Sequence, residues 1–202
     1  AAIHPFYTAA VREFEDAGKP IIGSAPVGVE GTNSWIDSLG DTFNITKKII
    51  GEAKQKILPQ IQKSLDDKKI NNKITVSGYE GSELIVARTL IEAGAEVPYV
   101  GTACPKTKWS AQDKDWLESR GVFVKFRASL EDDISAVKSV RPDLAIGTTP
   151  VVQKAKEMGI PSLYYTNLIS ARPIMGVAGA GSLAEVISVS YTHLRAHETL
   201  IY

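Results

Sequence analysis

The chain has 202 residues, 44% of them apolar, with 23 basic and 23 acidic side chains and a formal net charge of zero. A chain of this size buries a real core and suits one full domain with part of a second, and its charge balance argues against a nucleic-acid partner or an anionic membrane surface. No stretch approaches the roughly 18 to 20 apolar residues of a membrane span, the start lacks a signal-peptide layout, and the single Cys104 excludes an internal disulfide, so the expected location is the cytoplasm.

Ala1 stands where an initiator Met would be, and Phe6, Ala10, Phe14 and Ala17 share one face of a helix stopped by Gly18, so the chain reads as starting inside a domain. Residues 19–25 (KPIIGSA) read as a buried strand and 32–39 as a short helix capped by Thr32 or Asn33. Residues 45–65 read as a long helix, with Ile45, Ile49, Ala53, Ile57, Ile61 and Leu65 at every fourth place, that Pro59 is expected to kink or split. Residues 1–44 are therefore assigned to the end of one Rossmann-like domain, 45–72 to a connecting helix and a charged linker that turns at Asn71-Asn72, and 73–189 to a C-terminal domain.

From residue 73 onward, short apolar runs alternate with amphipathic stretches. Strands are expected over 73–78, 96–101, 122–126, 143–147 and 161–165. Between them lie a helix over 83–93 with Gly94 just past its end, and one over 110–120 with a Ser110-x-x-Asp113 capping box and a Gly121 stop. A third opens at Ser129-x-x-Asp132 and ends before Pro142, and a fourth starts at Thr149-Pro150 and stops at Gly159. The rhythm predicts an α/β fold, a Rossmann-like three-layer α/β/α parallel sheet preceded by part of a second such domain. Ligands of such sheets bind outside the carboxyl ends of the strands, which directs attention to 102–109, 148–153 and 166–179. Gly176, Gly179 and Gly181 do not have phosphate-loop spacing and read better as a tight entry into the last helix.

Residues 190–202 (SYTHLRAHETLIY) abandon the pattern and read as a non-native tail. His193 and His197 are spaced i, i+4, but the Glu of a zinc-peptidase helix is misplaced and no third ligand is evident, so no metal site is assigned. Cys104, between Ala103 and Pro105 at a strand end, reads as a small buried filler or as a pocket thiol. Strand alternation sends one of Tyr164 and Tyr165 inward and the other to the opposite face. Arg172 suits either a carboxylate of a ligand or a salt bridge at a subunit interface. Trp109 and Trp116, seven apart, are expected to pack, and Lys106 and Lys108 to be solvated.

The stretch ITVSGYEGSELIVARTLIEAGAEVPYVGTACPKTKWS, together with RPDLAIGTTPVVQKAKEMGIPSLYYTNLISARPIMGVAGAGSLAEV, resembles the C-terminal third of the Y subunits of chlorophyllide a reductases, a branch of the nitrogenase-like oxidoreductases. The resemblance runs from residue 3 to residue 187, and GTACPKTKWS and TNLISARPIMG are its most specific motifs. It implies ATP- and ferredoxin-dependent reduction of the C7=C8 bond of chlorophyllide a in bacteriochlorophyll biosynthesis. It further implies a heterotetramer with a Z subunit, an ATP-binding iron–sulfur reductase component X as electron donor, and a 4Fe-4S cluster whose ligands lie outside this fragment.

Where the nitrogenase component supplies a histidine to its metal cofactor, this chain has Thr166 beside Asn167, groups that suit hydrogen bonding to an organic substrate better than iron ligation. The substrate-lining candidates are accordingly Tyr165, Thr166, Asn167, Arg172, Met175 and Cys104, with no metal ligand and no catalytic residue assigned. A second reading, from a different class, is a non-catalytic scaffold that holds a metal cluster or tetrapyrrole during cofactor assembly.

Overall fold

The structure, a computed structural model, describes residues 8–23, 25–170 and 172–198, with side chains described as far as Ile187. Five strands form one parallel sheet: β1 (Lys73–Gly78), β2 (Glu96–Thr102), β3 (Phe123–Phe126), β4 (Leu144–Gly147) and β5 (Ser162–Tyr164), in the order β3-β2-β1-β4-β5. The register aligns Val124, Val100, Val76, Ile146 and Leu163 in one apolar row across all five strands. Branched side chains of this kind fit a pleated, doubly covered sheet.

Strand alternation divides the faces. Ile74, Val76, Leu144 and Ile146 enter the main core, beneath α4 (Glu83–Glu92) and α9 (Gly176–Glu198). On the other face Ala145 meets Val137 of α6 (Leu130–Val140) and Val151 and Ala155 of α7 (Thr149–Glu157). The helices sit close there because the strand residues are small: a Cβ on Gly147 would lie 2.6 Å from a Val151 methyl. The predicted α/β class and all five predicted strands of this sheet are present, within one or two residues of their expected ends.

The segment before the sheet differs from expectation. Residues 19–23 and 25–27 are not a strand, because no neighbouring strand offers them a ladder. The helix expected at 32–39 is α2 (Gly28–Phe43), and Thr32 lies inside it, its hydroxyl donating to the Gly28 carbonyl at 2.6 Å rather than capping. α1 (Thr8–Asp16) buries none of its residues and Phe14 stays 58% exposed, while Phe6 lies outside the described residues. α3 (Lys47–Asp66) runs through Pro59 as one element. That proline sits on the exposed side, where water satisfies the carbonyl it leaves unpaired. The second half of α3 joins the main core through Ile61 and Leu65, both essentially inaccessible.

One local reading is corrected by a long-range partner. The capping box at Ser129 and Asp132 forms as expected, but the one expected at Ser110 and Asp113 does not. Thr107 and Ser110 instead cap a short 3-10 turn (Lys108–Ser110) ahead of α5 (Ala111–Glu118), and Asp113 is buried, with Oδ1 2.5 Å from Arg88 Nη1. A buried guanidinium needs an anion, and that need outweighs a cap. After β5 the chain goes straight into α8 (Tyr165–Ser170), because Tyr165 and Leu168, each 2% exposed, both reach the core. Gly176 (φ +62°) then opens α9, and a Cβ on Gly179 would strike the Ile174 backbone, as the tight-entry reading requires. The α9 backbone continues past Ser190 to Glu198, and the side chains of His193 and His197 lie outside the described residues.

Candidate functional site

The chain runs outward from β1 to β3, then crosses to β4, so the topological switch point lies between β1 and β4. A cleft of 250 Å³ opens there at the carboxyl ends of the strands. Its walls are Tyr79 from the β1–α4 loop, Gly147 to Pro150 from the end of β4 and start of α7, and Tyr164, Tyr165, Thr166 and Asn167 from the end of β5 and α8. The lining is hydroxyl, amide and aromatic, with no charged side chain. Such a surface makes neutral hydrogen bonds to the edge of an organic ligand and stacks or packs against its face. At 250 Å³ it falls below the roughly 300 to 1,000 Å³ of pockets that enclose a drug-sized molecule, so it seats one edge of a large ligand.

Two bonds tie its banks together. Ser82 Oγ and Tyr165 Oη are 2.8 Å apart, and the Thr166 hydroxyl donates to Glu80 Oε1 at 3.3 Å. The β1–α4 loop is stapled from beneath by Glu83, fully buried, whose two carboxylate oxygens accept the Glu80 and Gly81 N–H groups at 2.8 Å each. Gly78 leaves the space this carboxylate occupies. Burial pushes the Glu83 carboxyl above its usual range, opposed by those backbone donors and by the Thr102 hydroxyl. Burial, with the Glu83 carboxyl nearby, likewise holds the Tyr165 phenol well up, so it stays neutral.

Of the six candidate residues, Tyr165, Thr166 and Asn167 line this cleft. Cys104 lies behind it, 1% exposed, with Sγ 3.6 Å from the Tyr79 carbonyl, and burial raises its thiol pKa. Met175 packs against the buried trio Ala25, Val27 and Ile85. Arg172 reaches toward Glu185 on α9, at 3.9 Å, and is 43% exposed. Trp116 does pack, between the guanidinium groups of Arg88 and Arg120 at 4.7 and 3.7 Å from its ring centre, and Lys108 lies 4.8 Å over the Trp109 ring. Sequence reasoning singled out the segment that holds Thr148 but missed Tyr79, Glu80 and Glu83; the doubled acid in Tyr79-Glu80-Gly81-Ser82-Glu83, straight after a strand, was the signal that pointed there.

An iron–sulfur cluster does not fit the residues present. Cys104 is a buried thiol whose proton is retained, and among the described residues no group of three His, Cys, Asp or Glu side chains is placed to hold a metal. No described helix is long and apolar enough to cross a membrane.

A family model described as nitrogenase component 1 type oxidoreductase matches residues 1–191. The chain is 63% identical over 190 residues to the chlorophyllide reductase 52.5 kDa chain of Cereibacter sphaeroides, and equally to that of Rhodobacter capsulatus, with 94% of this chain and 38% of each relative covered. It is 28% identical over 206 residues to light-independent protochlorophyllide reductase subunit N of Prochlorococcus marinus, covering 97% of this chain and 47% of the relative. Among solved structures, nitrogenase Cp1 at pH 6.5 aligns with a TM-score of 0.60 at 23% identity, over 84% of this chain and 40% of that one, a likeness of fold alone. This chain thus spans 38% of the length of its chlorophyllide reductase relatives. With the family pattern running through the α/β sheet and all the elements that form the cleft, the chain belongs to the nitrogenase component 1 type oxidoreductases.

Proposed function

We propose that this chain is the C-terminal part of the Y subunit of a chlorophyllide a reductase, within the catalytic component that reduces the C7=C8 bond of chlorophyllide a. The 63% identity over 190 residues to chlorophyllide reductase chains carries this reading. In it, the subunit pairs with a Z subunit as a heterotetramer, in the cytoplasm, and receives electrons from an ATP-dependent, ferredoxin-fed component X through a 4Fe-4S cluster held outside these residues. Residues 1–44 close a preceding domain, 45–72 connect, and 73–189 form the domain that meets substrate.

The chemistry of the cleft supports an organic substrate. Thr166 and Asn167 offer hydrogen bonds to ring substituents, Tyr79 and Tyr164 offer aromatic surface, and Tyr165 stays neutral and fixed by Ser82. Arg172, between α8 and α9 and loosely held by Glu185, is the residue proposed to meet a propionate that extends beyond the cleft. Cys104 backs the wall at Tyr79.

The test uses the full-length subunit carrying this sequence, assembled with Z and X. The wild-type complex is expected to convert chlorophyllide a to the C7=C8-reduced product, read from the long-wavelength absorption band. The double variant Thr166→Val, Asn167→Ala is expected to weaken chlorophyllide binding by about 1 to 2 kcal/mol, with assembly intact. A wild-type complex that binds chlorophyllide a and leaves it unreduced sinks the assigned reaction; a double variant that binds as tightly as wild type removes the cleft from the substrate site.

A further inference from the structure

We infer that Glu92 is a positioning residue for the turn that joins the loop at 172–175 to α9, acting through the start of α2; its functional consequence rests on the reading that this loop borders the substrate. α2 begins after Val27, whose side chain cannot accept a hydrogen bond, so its first-turn N–H groups lack a local cap. Glu92 has the opposite problem. It is the last residue of α4, where a negative charge opposes the helix dipole of its own helix.

The fold brings the two together. The Val29 N–H donates to Glu92 Oε2, across 63 residues of sequence. Gly28 has φ +58°, and a Cβ there would lie 2.5 Å from the Glu92 carboxyl carbon, so the acid is pressed against the first turn of α2. Burial raises the Glu92 pKa, while the Val29 and Glu30 N–H groups and the Arg88 charge act to lower it, as expected of a carboxyl serving as a cap. One turn earlier on α4, Arg88 is 1% exposed, ion-paired with Asp113 and 3.3 Å from where a Cβ on Gly31 of α2 would stand.

The segment entering α2 carries this anchorage onward. The Pro26 carbonyl accepts the Gly176 N–H at 3.0 Å, and Ala25 and Val27, buried with Ile85, form the surface on which Ile174 and Met175 pack. Gly176, at φ +62°, is the residue where the loop turns into α9. Only Val27 and Gly28 separate Pro26, which holds Gly176, from Val29, which is held by Glu92. An acid that fixes Val29 therefore fixes the carbonyl that holds Gly176, and with it the α9 end of the loop.

The experiment is amide hydrogen exchange on the 202-residue chain with Glu92→Ala and Glu92→Gln. Glu92→Ala is expected to speed exchange at Val29, Glu30 and Gly176 about tenfold or more, with the β1 and β4 amides unchanged, and Glu92→Gln, which keeps an accepting oxygen, to restore most of the Gly176 protection. Should the alanine variant fail to fold, Glu92→Asp, too short to reach α2, reads the same amides. Gly176 exchange equal to wild type, or faster exchange shared equally by β1 and β4, overturns the inference. In the assembled reductase, Glu92→Ala is expected to raise KM for chlorophyllide a about fivefold with kcat within twofold. Faster Gly176 exchange with an unchanged KM leaves the positioning role standing and sinks the assignment of the loop to the substrate.

Discussion

Asp133 shows how a buried polar residue is tolerated and what it costs. Its side chain, 6% exposed, accepts a 2.8 Å hydrogen bond from the Tyr99 hydroxyl, in space left open by Gly101. Burial pushes its pKa from 3.8 to about 6, only partly offset by Tyr99. A folded-state pKa raised in this way means that the native state binds the proton more tightly than the unfolded chain. The stability tied to that proton is fully present below the unfolded value of 3.8 and is lost as pH rises through about 6. Asp133→Asn, which retains an oxygen for Tyr99, should therefore match wild type near pH 3.5 and exceed it at pH 8 by up to about 3 kcal/mol. Urea unfolding across that range checks it; a variant less stable than wild type at pH 8 would show that the ionised carboxylate is itself favourable.

At the scale of elements, α9 is anchored through the side chains of its first half. Ala180, Leu183, Ala184 and Ile187 are buried against the sheet and α3, and Gly181 lets α9 come close to Ser64. Beyond residue 187 the helix continues in its backbone, while the family match ends at residue 191. Deleting 190–202 is accordingly expected to shift the melting temperature by less than about 2 °C, since nearly all of that segment lies beyond the family pattern and terminal residues of a domain add little. Thermal unfolding of the truncated chain decides this, and a drop of about 10 °C would show that the tail packs as native structure.

At the scale of the whole molecule, the fold is a platform that presents the switch-point cleft. Its sheet is covered on one face by α3, α4 and α9 and on the other by α6 and α7, and the switch-point cleft presents hydroxyls, an amide and phenols. The 202-residue chain, reconstituted anaerobically with iron and sulfide, is expected to show no stoichiometric cluster by absorbance or iron analysis, because its single cysteine is buried beneath the Tyr79 carbonyl. A bound 4Fe-4S cluster in the isolated chain would contradict the donor set described above.

The sequence by itself determined the α/β class, the five strands and the helices between them. Those features are written in local periodicity and in glycine, proline and Ser/Thr punctuation, which neighbouring residues enforce whatever the rest of the chain does. It also placed Tyr165, Thr166 and Asn167 at a carboxyl edge, because chain order alone fixes which loops emerge there. Only the tertiary structure decided that Asp113 pairs with Arg88 and that Glu92 caps α2. In each case the partner is chosen by burial. A charge or an unpaired N–H removed from water must find its complement in whatever the packed elements bring near, and residues 25 or 63 positions apart in sequence carry no local sign of that meeting.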